Sequence, residues 1–397
     1  MGLTLYDTTL RDGSQGEGIS LSLDDKLRIT RQLDRFGIDF IEGGWPGSNP
    51  KDESYFREVQ NMDLEHAKIT AFSSTRRPNI KAEDDPNILK MVEAGVDYVT
   101  IFAKSWDLHV TDALQTTLAE NIEMIKDTVE FLKSKDLNVI FDAEHFFDGY
   151  VNNPEYALKT LKTAAEAGAE LLVLCDTNGG MLPSQVAEIM QQVKKVSDTP
   201  LGIHAHNDGN LAVANSLVAY EEGAVQVQGT VGGLGERCGN ADLCSVIPSL
   251  QLKYGEDLVT EKQLKQLKPL YFFVTETANL IPINNKPYVG KSAFTHKGGI
   301  HVSAVRKNPH TYEHIEPELV GNERRVLVSE LAGKSNLRYK LKEIGFDLND
   351  FSNQMIKKLI KKVKTLENKG YQFEGAEASL ILLAFREFKD YKPFFKV

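Results

Sequence analysis

The sequence predicts an α/β protein that begins with a closed (β/α)8 barrel, a TIM barrel, over residues 1–255. A short apolar or β-branched run followed by a segment of helical period occurs eight times before residue 253. Glycine stands just past predicted helix ends and before the next run, in "EAGV", "EAGAE" and "EEGAV". Charged residues directly follow several of the runs. An open doubly wound sheet is the alternative, but such sheets usually have fewer strands.

The eight predicted strands follow one another in chain order. They are "LTLYDTT", "DFIEGG", "KITAFSS", "DYVTIFA", "NVIFDAE", "LLVLCDT", "LGIHAHN" and "AVQVQGT". The predicted helices lie between them at 24–36, 52–62, 84–94, 111–135, 154–167, 183–196, 210–222 and near 239–252.

Beyond residue 255 the pattern changes, which predicts two further regions. Residues 256–334 are predicted to form a linker and a first subdomain, helical at 262–280 and rich in loops at 284–330. Residues 335–397 are predicted to form a helical second subdomain, because "FSNQMIKKLIKKVKTLENKG" places apolar residues at helical spacing. Its lysine run is interpreted as a solvated helix face.

Composition narrows the classes of function. Hydrophobic residues make up 41% and charged residues 26%, as in a soluble globular protein. No apolar run reaches the ~18 residues that span a bilayer, and the chain enters a strand-like run at once, so no secretory signal is expected. The net charge of −10 argues against nucleic-acid binding. Three cysteines without metal-site spacing are expected as free thiols in the cytoplasm.

Polar residues gather at the predicted carboxyl ends of the barrel strands, where TIM barrels carry their chemistry. Solvated loop starts are the alternative for any one of them, but so many on one rim favour a shared site. They are Arg11, Asp12, Glu42, Asp142, Glu144, Asp176, Thr177, His204, His206 and Asp208.

The string "HAHND" predicts a metal site. His204 and His206 are two apart in a strand, so their side chains share a face. Asp12, from strand one, would supply a third ligand. Two imidazoles and one carboxylate leave positions open for water and substrate, as in a catalytic divalent-metal site. A hydrogen-bonded pair of strand-end histidines is the alternative.

A glycine-rich segment, "GTVGGLGERCGNADL", follows strand eight. Its spacing is not that of a dinucleotide fingerprint, so no nicotinamide cofactor is predicted. The segment runs into a predicted helix that starts near Asn240, whose amino terminus would favour an anion. A tight turn between strand and helix is the alternative.

Together these segments resemble the isopropylmalate, homocitrate and citramalate synthase family. "RDGxQ", "HxHND" and "GxGERxGNA", read here in "LYDTTLRDGSQGEGISLSLDDK", "HAHNDGNLAVANS" and "GTVGGLGERCGNADL", are highly specific in combination. The likeness covers essentially the whole chain. It implies an acyltransferase of amino-acid biosynthesis, with a metal-bearing barrel that condenses acetyl-CoA with an α-keto acid.

The resemblance also implies a role for each matching residue. The metal would be bound by Asp12, His204 and His206, with Asn240 as a further or more distant ligand. Arg11 would hold the keto oxygen, and Thr177 would bind the substrate carboxylate. The remaining catalytic residues would be Glu144, His301 in "FTHKGGIHVSAV" and Tyr312 in "TYEHIEP". Either His301 or Glu144 would be the base.

The sequence also bears on which metal ion is bound and on which keto acid accepts the acetyl group. Two imidazoles favour zinc or manganese, and a carboxylate with water tolerates magnesium. Pyruvate is the expected acceptor, which implies isoleucine biosynthesis, and the larger keto acids of isopropylmalate or homocitrate synthesis are the alternative. Homocitrate synthases usually carry an acidic residue where this chain has Gly202. Three basic residues near the predicted rim leave a dicarboxylate acceptor open: Arg76, Arg77 and Lys104.

Metal-dependent aldol lyases and biotin-dependent carboxyltransferase domains share the barrel, but they usually lack "GERxGNA". The family implies a homodimer in which the linker of one chain reaches the barrel of the other, so His301 and Tyr312 are expected to act in trans. Relatives usually continue into a regulatory domain that binds an amino acid, and none is expected within these 397 residues.

Overall fold

The structure, a computed structural model, describes residues 2–328, 333–343, 345–374 and 376–387. The chain forms two compact units, Met1–Pro282 and Ile283–Val397. The predicted boundary at residue 255 and the further division at residue 335 remain predictions. The end of the predicted second subdomain, 388–397, lies outside the described residues.

Eight parallel strands close into a barrel in the first unit, which confirms the predicted fold class. Each strand pairs with the next one in the chain, and the eighth returns to the first with Asp7 beside Gly229. Because all eight run in one direction, their carboxyl ends meet at a single rim. The strands are β1 (Thr4–Asp7), β2 (Phe40–Gly44), β3 (Lys68–Ser74), β4 (Tyr98–Lys104), β5 (Asn138–Glu144), β6 (Leu171–Asp176), β7 (Leu201–Ala205) and β8 (Gln226–Gly229).

Helices follow the strands around the barrel, and two more close the first unit. The predicted start of the first helix holds because Ser22 forms a capping box with Asp25, and the helix ends at Gly37, whose φ is 99°. The helices are α1 (Leu23–Phe36), α2 (Pro50–Val59), α3 (Pro86–Glu93), α4 (Leu118–Lys133), α5 (Phe146–Asn152), α6 (Pro154–Glu166), α7 (Pro183–Val193), α8 (Ala212–Glu221), α9 (Leu243–Ser249), α10 (Glu261–Leu264) and α11 (Leu267–Thr277).

Two predicted helix starts are wrong. The helix expected from residue 111 begins at Leu118, because the Thr117 side chain accepts the amide hydrogen of Glu120 and so caps it. The helix expected to start near Asn240 begins at Leu243. Asn240 instead forms an isolated β-bridge with His206, so it lies in the loop rather than at a helix terminus.

The amino-terminal end of the barrel is closed by side chains. An apolar cluster there includes Tyr6, Phe40, Ile140 and Leu171. The fully buried Tyr6 hydroxyl donates to Glu42 Oε1 at 2.9 Å. The polar hydroxyl of Tyr6 is thus bonded to another polar group inside the barrel.

The second unit is a small helical body with a parallel strand pair. The buried side chains of three helices form its core, among them Leu337, Leu341, Ile356 and Leu380. Within the described residues no helix is both long and apolar enough to cross a membrane. The elements are β9 (Thr295–His296), α12 (Gly299–Lys307), β10 (Arg325–Val326), α13 (Lys334–Glu343), α14 (Asn353–Glu367) and α15 (Glu377–Glu387).

Candidate active site

Asp12, His204 and His206 form a buried cluster at the carboxyl rim of the barrel. One ligand atom from each lies within 4.8 Å of the others. The two Nε2 atoms are 3.3 Å apart, and Asp12 Oδ2 lies 3.5 Å from His204 Nε2 and 3.8 Å from His206 Nε2. The strand periodicity that puts both imidazoles on one face, together with barrel closure, therefore brings three metal-ligand types to one point.

The ring of His204 is oriented from behind by Gln228. His204 Nδ1 lies 3.0 Å from Gln228 Oε1, and the Gln228 amide nitrogen donates to Asp142 Oδ1 at 3.2 Å. The amide oxygen can only accept, so Nδ1 carries a hydrogen, and in the neutral imidazole the lone pair is then on Nε2. Outer partners of this kind commonly fix metal-binding histidines.

The charge state of the cluster suits a cation. Burial favours the protonated form of Asp12, but Arg11 and the two histidines outweigh it and hold the pKa of Asp12 well below its usual range. Burial and the neighbouring His204 lower the pKa of His206 to about 3, so that imidazole is neutral near pH 7. An ionised carboxylate and a neutral imidazole are the forms that bind metals.

Asn240 supports the carboxylate of Asp12. Its Nδ2 donates to Asp12 Oδ1 at 2.9 Å and to the Leu234 carbonyl at 3.0 Å. Its buried Oδ1 has no hydrogen-bond partner among the described residues. Gly235 makes room for the Asn240 side chain, since a Cβ at position 235 would lie 2.2 Å from Asn240 Nδ2. The φ of Gly235 is 149°, a value that favours glycine.

Arg11 is fixed beside the cluster. Its Nε donates to Glu42 Oε2 at 2.6 Å, and its Nη1 donates to Asp12 Oδ2 at 3.0 Å. The guanidinium carbon lies 3.8 Å from the centre of the Phe72 ring. Burial works against the charge, but Glu42 and Asp12 raise the pKa of Arg11 above its usual value, so the side chain is a permanent cation.

The cluster opens into a cavity of about 210 Å³. This volume is below the ~300 Å³ at which drug-sized ligand sites begin, so the cavity suits a small polar molecule. One wall is aromatic: the rings of Phe72 and Phe102 stack at 5.1 Å, and Trp45 meets both edge-on. The predicted site residues that line the cavity are Arg11, Asp12, Glu144, Thr177, His204 and His206.

The Thr177 hydroxyl is oriented by the backbone of the neighbouring loop. Thr177 Oγ1 accepts the amide hydrogen of His145 at 2.9 Å. His145 has a φ of 56°, an uncommon value for a residue with a side chain. With its acceptor site used in this way, the hydroxyl proton of Thr177 remains available to an oxygen in the cavity.

Lys104 and Glu144 form an ion pair at the ends of neighbouring strands. Arg76 is also paired, with Glu120 and Asp127, and it does not line the cavity. These two basic residues, which left a dicarboxylate acceptor open in the sequence, are therefore neutralised by carboxylates of the protein.

His301 and Tyr312 belong to the second unit. Their ring centroids are 4.2 Å apart, and both side chains are exposed there. Their proposed participation in the chemistry of the barrel remains a prediction.

Among the residues at the site that the sequence analysis did not single out are Gln228 and Arg237. Gln228 could have been found, because "QVQG" places a polar side chain on alternate positions of a buried strand. Arg237 lines the cavity, donates to both Asp208 oxygens at 2.8 and 3.0 Å, and reaches the Thr177 carbonyl at 2.6 Å. Its partners lie in two other loops, so no local pattern reveals them.

The barrel and its rim cluster define an enzyme class: a TIM-barrel enzyme with a donor set suited to a catalytic divalent metal. The HMGL-like family profile matches residues 2–270, and the profile described as homocitrate synthase post-HMGL domain-like matches residues 288–371. A crystal structure of HMG-CoA lyase from Bacillus subtilis shares the fold, with a TM-score of 0.61 and 21% identity over 72% of this chain and 96% of that one.

Relatives of higher sequence identity assign the chain to one group of enzymes within this class. An (R)-citramalate synthase from Aquifex aeolicus is 58% identical over 98% of this chain and 74% of that protein. A probable 2-isopropylmalate synthase from Methanopyrus kandleri is 35% identical over 92% of this chain and 70% of that protein. The chain belongs to the HMGL-like family and, within it, to the (R)-citramalate synthases. It is accordingly an acyltransferase that converts an acyl group into an alkyl group on transfer.

Proposed function

We propose that the protein forms (R)-citramalate and free CoA from acetyl-CoA, pyruvate and water, a step of isoleucine biosynthesis. The observation that carries this proposal is the much higher identity to an (R)-citramalate synthase than to an isopropylmalate synthase over nearly the same residues. The metal-ligand cluster beside a small cavity supports it independently.

Asp12, His204 and His206 would hold the metal ion, for which zinc, manganese and magnesium are all candidates. The ligand set fits a cation, because the Gln228 contact selects the tautomer of the neutral His204 ring whose lone pair is on Nε2, facing Asp12 and His206. The unpartnered Asn240 Oδ1 is a further donor, and Asn240 also steadies Asp12. A bound ion would supply Lewis acidity to the keto oxygen of the acceptor.

Arg11 stabilises the charge that develops in the condensation. As the new carbon–carbon bond forms, the keto oxygen of pyruvate gains negative charge, and a fixed cation beside it lowers the barrier. Glu42 and Phe72 hold the guanidinium in place before the reaction, so little reorganisation is needed. The Thr177 hydroxyl, whose oxygen accepts the amide hydrogen of His145, donates a hydrogen bond to the carboxylate of the acceptor.

His301 takes a proton from the acetyl methyl group, and Glu144 and Tyr312 orient it or relay the proton; Glu144 is the alternative base. The resulting enolate carbon bonds to the keto carbon, and the former keto oxygen is then protonated. Water attacks the thioester carbonyl, the carbon–sulfur bond breaks, and the thiol of CoA leaves with a proton.

The lining of the cavity disfavours an acceptor with a second carboxylate. The cavity has a volume of about 210 Å³, and Trp45, Phe72 and Phe102 form its aromatic wall. The arginines that line it are already paired, Arg11 with Glu42 and Arg237 with Asp208. A second carboxylate of the substrate would therefore have to compete with these carboxylates of the protein.

A homodimer is proposed as the active form, with His301 and Tyr312 of one chain completing the site of the other. Ile300 and Tyr312 are 81% and 48% exposed, which leaves an apolar and a polar group available to a partner. Mixing inactive His301→Ala and Asp12→Ala proteins should restore activity if the sites are shared. Failure to restore any activity under conditions of subunit exchange would refute this arrangement.

The thiol state of the three cysteines fits a reducing compartment. Cys175, Cys238 and Cys244 form no disulfide, and together with the use of acetyl-CoA this supports a cytoplasmic location.

The test is release of free thiol from acetyl-CoA with pyruvate, 2-oxobutyrate, 2-oxoisovalerate and 2-oxoglutarate in parallel, each with and without a chelator. Release that needs metal and is fastest with pyruvate is expected. Preference for another acceptor would refute the proposed substrate. Loss of activity in Asp12→Asn with an unchanged thermal unfolding midpoint would tie the activity to the cluster.

A further inference from the structure

The second unit contains a cleft of about 340 Å³ between α12, α13 and β10. Four of its lining side chains are cationic: Arg306, Arg324, Arg338 and Lys342. No carboxylate is among the described residues that line it. The cleft therefore concentrates positive charge in a protein whose net charge is −10.

The charge of one of these cations, Arg324, is neutralised by the carboxylate of Glu313. Arg324 donates to both oxygens of the buried Glu313, at 2.7 and 2.5 Å, and His296 Nε2 lies 2.9 Å from the same carboxylate. This bidentate pair fixes the Arg324 guanidinium at the edge of the cleft.

The other three cations lack a carboxylate. Arg338 donates only to neutral acceptors, the Phe351 carbonyl at 3.2 Å and Asn353 Oδ1 at 3.4 Å. Arg306 and Lys342 form no ion pair and no side-chain hydrogen bond within the described part of the chain. Like charges that face one cavity repel one another, and a bound anion would remove that cost.

We propose that this cleft binds an anion that carries phosphate groups. Guanidinium groups match phosphate oxygens in geometry and charge, and lysine adds a point charge. Val302, Val305 and Leu348 supply apolar surface for the rest of a larger ligand. Because Val302, Val305 and Arg306 lie on α12, which also carries His301, occupancy would restrain the helix that bears the proposed base.

Two sources share this chemistry: a free phosphorylated metabolite and the phosphates of CoA. The probe is inorganic pyrophosphate, titrated by calorimetry at low salt into chelator-treated protein. The test variant is Arg306→Gln with Lys342→Gln, two exposed side chains whose loss should not disturb folding. The matched control is Lys357→Gln with Lys361→Gln on the exposed face of α14, which removes the same charge.

Wild type and control should bind pyrophosphate equally, and the test variant should bind it about tenfold more weakly or worse, as for the loss of charge-assisted hydrogen bonds. No binding to wild type, or equal weakening in both double variants, would overturn the proposal. If KM for acetyl-CoA rises in the test variant alone while KM for the keto acid holds, the ligand is CoA. If KM is unchanged, it is a separate metabolite. The binding measurement needs no turnover, so its outcome is independent of the proposed activity.

Discussion

Replacing Gln228 by methionine should weaken metal binding without removing a ligand. Methionine keeps the length of the side chain but not the amide oxygen, which lies 3.0 Å from His204 Nδ1. The imidazole then loses the contact that fixes its tautomer and orientation. Loss of such an outer partner typically costs about 10- to 100-fold in metal affinity, or about 1.4–2.7 kcal/mol.

The variant also leaves the buried Nδ1–H group of His204 without an acceptor. It removes the Gln228 amide nitrogen that donates to Asp142 at 3.2 Å. Burial already raises the pKa of Asp142 to about 7, so the loss of this donor should raise that pKa further. A buried unpaired donor costs about 1–3 kcal/mol, and the free energy of unfolding should fall by that order.

The assay is competition for zinc or manganese against a chromophoric chelator, with chemical unfolding measured in parallel. The control is Gln226→Met, because Gln226 contacts Gln228 but not His204. A metal Kd for Gln228→Met within threefold of wild type, or no weaker than that of the control, would refute the role given to this contact.

Three further predictions concern charged side chains of the first unit. Burial raises the pKa of Asp7 to about 7, so between about pH 4 and 7 the folded state keeps a proton that the unfolded state releases. The contribution of Asp7 to the free energy of unfolding should therefore fall as pH rises through that window, by up to about 1.4 kcal/mol per pH unit, so that the difference between wild type and Asp7→Asn in chemical unfolding changes with pH in this sense. Arg11→Lys should lower kcat about 100-fold in the thiol assay with an unchanged unfolding midpoint; near-normal turnover would remove Arg11 from charge stabilisation. Lys26 and Asp52 form a buried ion pair, so Lys26→Ala alone should cost about 3–5 kcal/mol in unfolding free energy by stranding the carboxylate. Lys26→Met with Asp52→Leu should cost clearly less, and equal losses would contradict the pairing argument.

The parts of the site that could be predicted are those that follow from regular spacing of residues along the chain. His204 and His206 could be placed on one face because strand side chains alternate. Asp12 could be assigned to the same rim because parallel strands of a barrel share one carboxyl edge. The position of Asn240 could not be read correctly, because its bridge to His206 competes with helix formation in a segment whose glycines permit either.

The sequence by itself determined the fold class, the family and the three side chains that meet in the candidate metal cluster, because these follow from period, spacing and local motifs. Only the tertiary structure decided which basic side chains remain available to a substrate. Arg76 and Lys104 looked equally suited to bind a carboxylate, yet each is paired with acidic residues from other elements, Arg76 with Glu120 and Asp127 and Lys104 with Glu144. The tautomer of His204 likewise depends on Gln228, which is 24 residues away in the chain and 3.0 Å away in space. Such pairings are set by barrel closure, which brings distant segments into contact, and no local pattern in the chain encodes them.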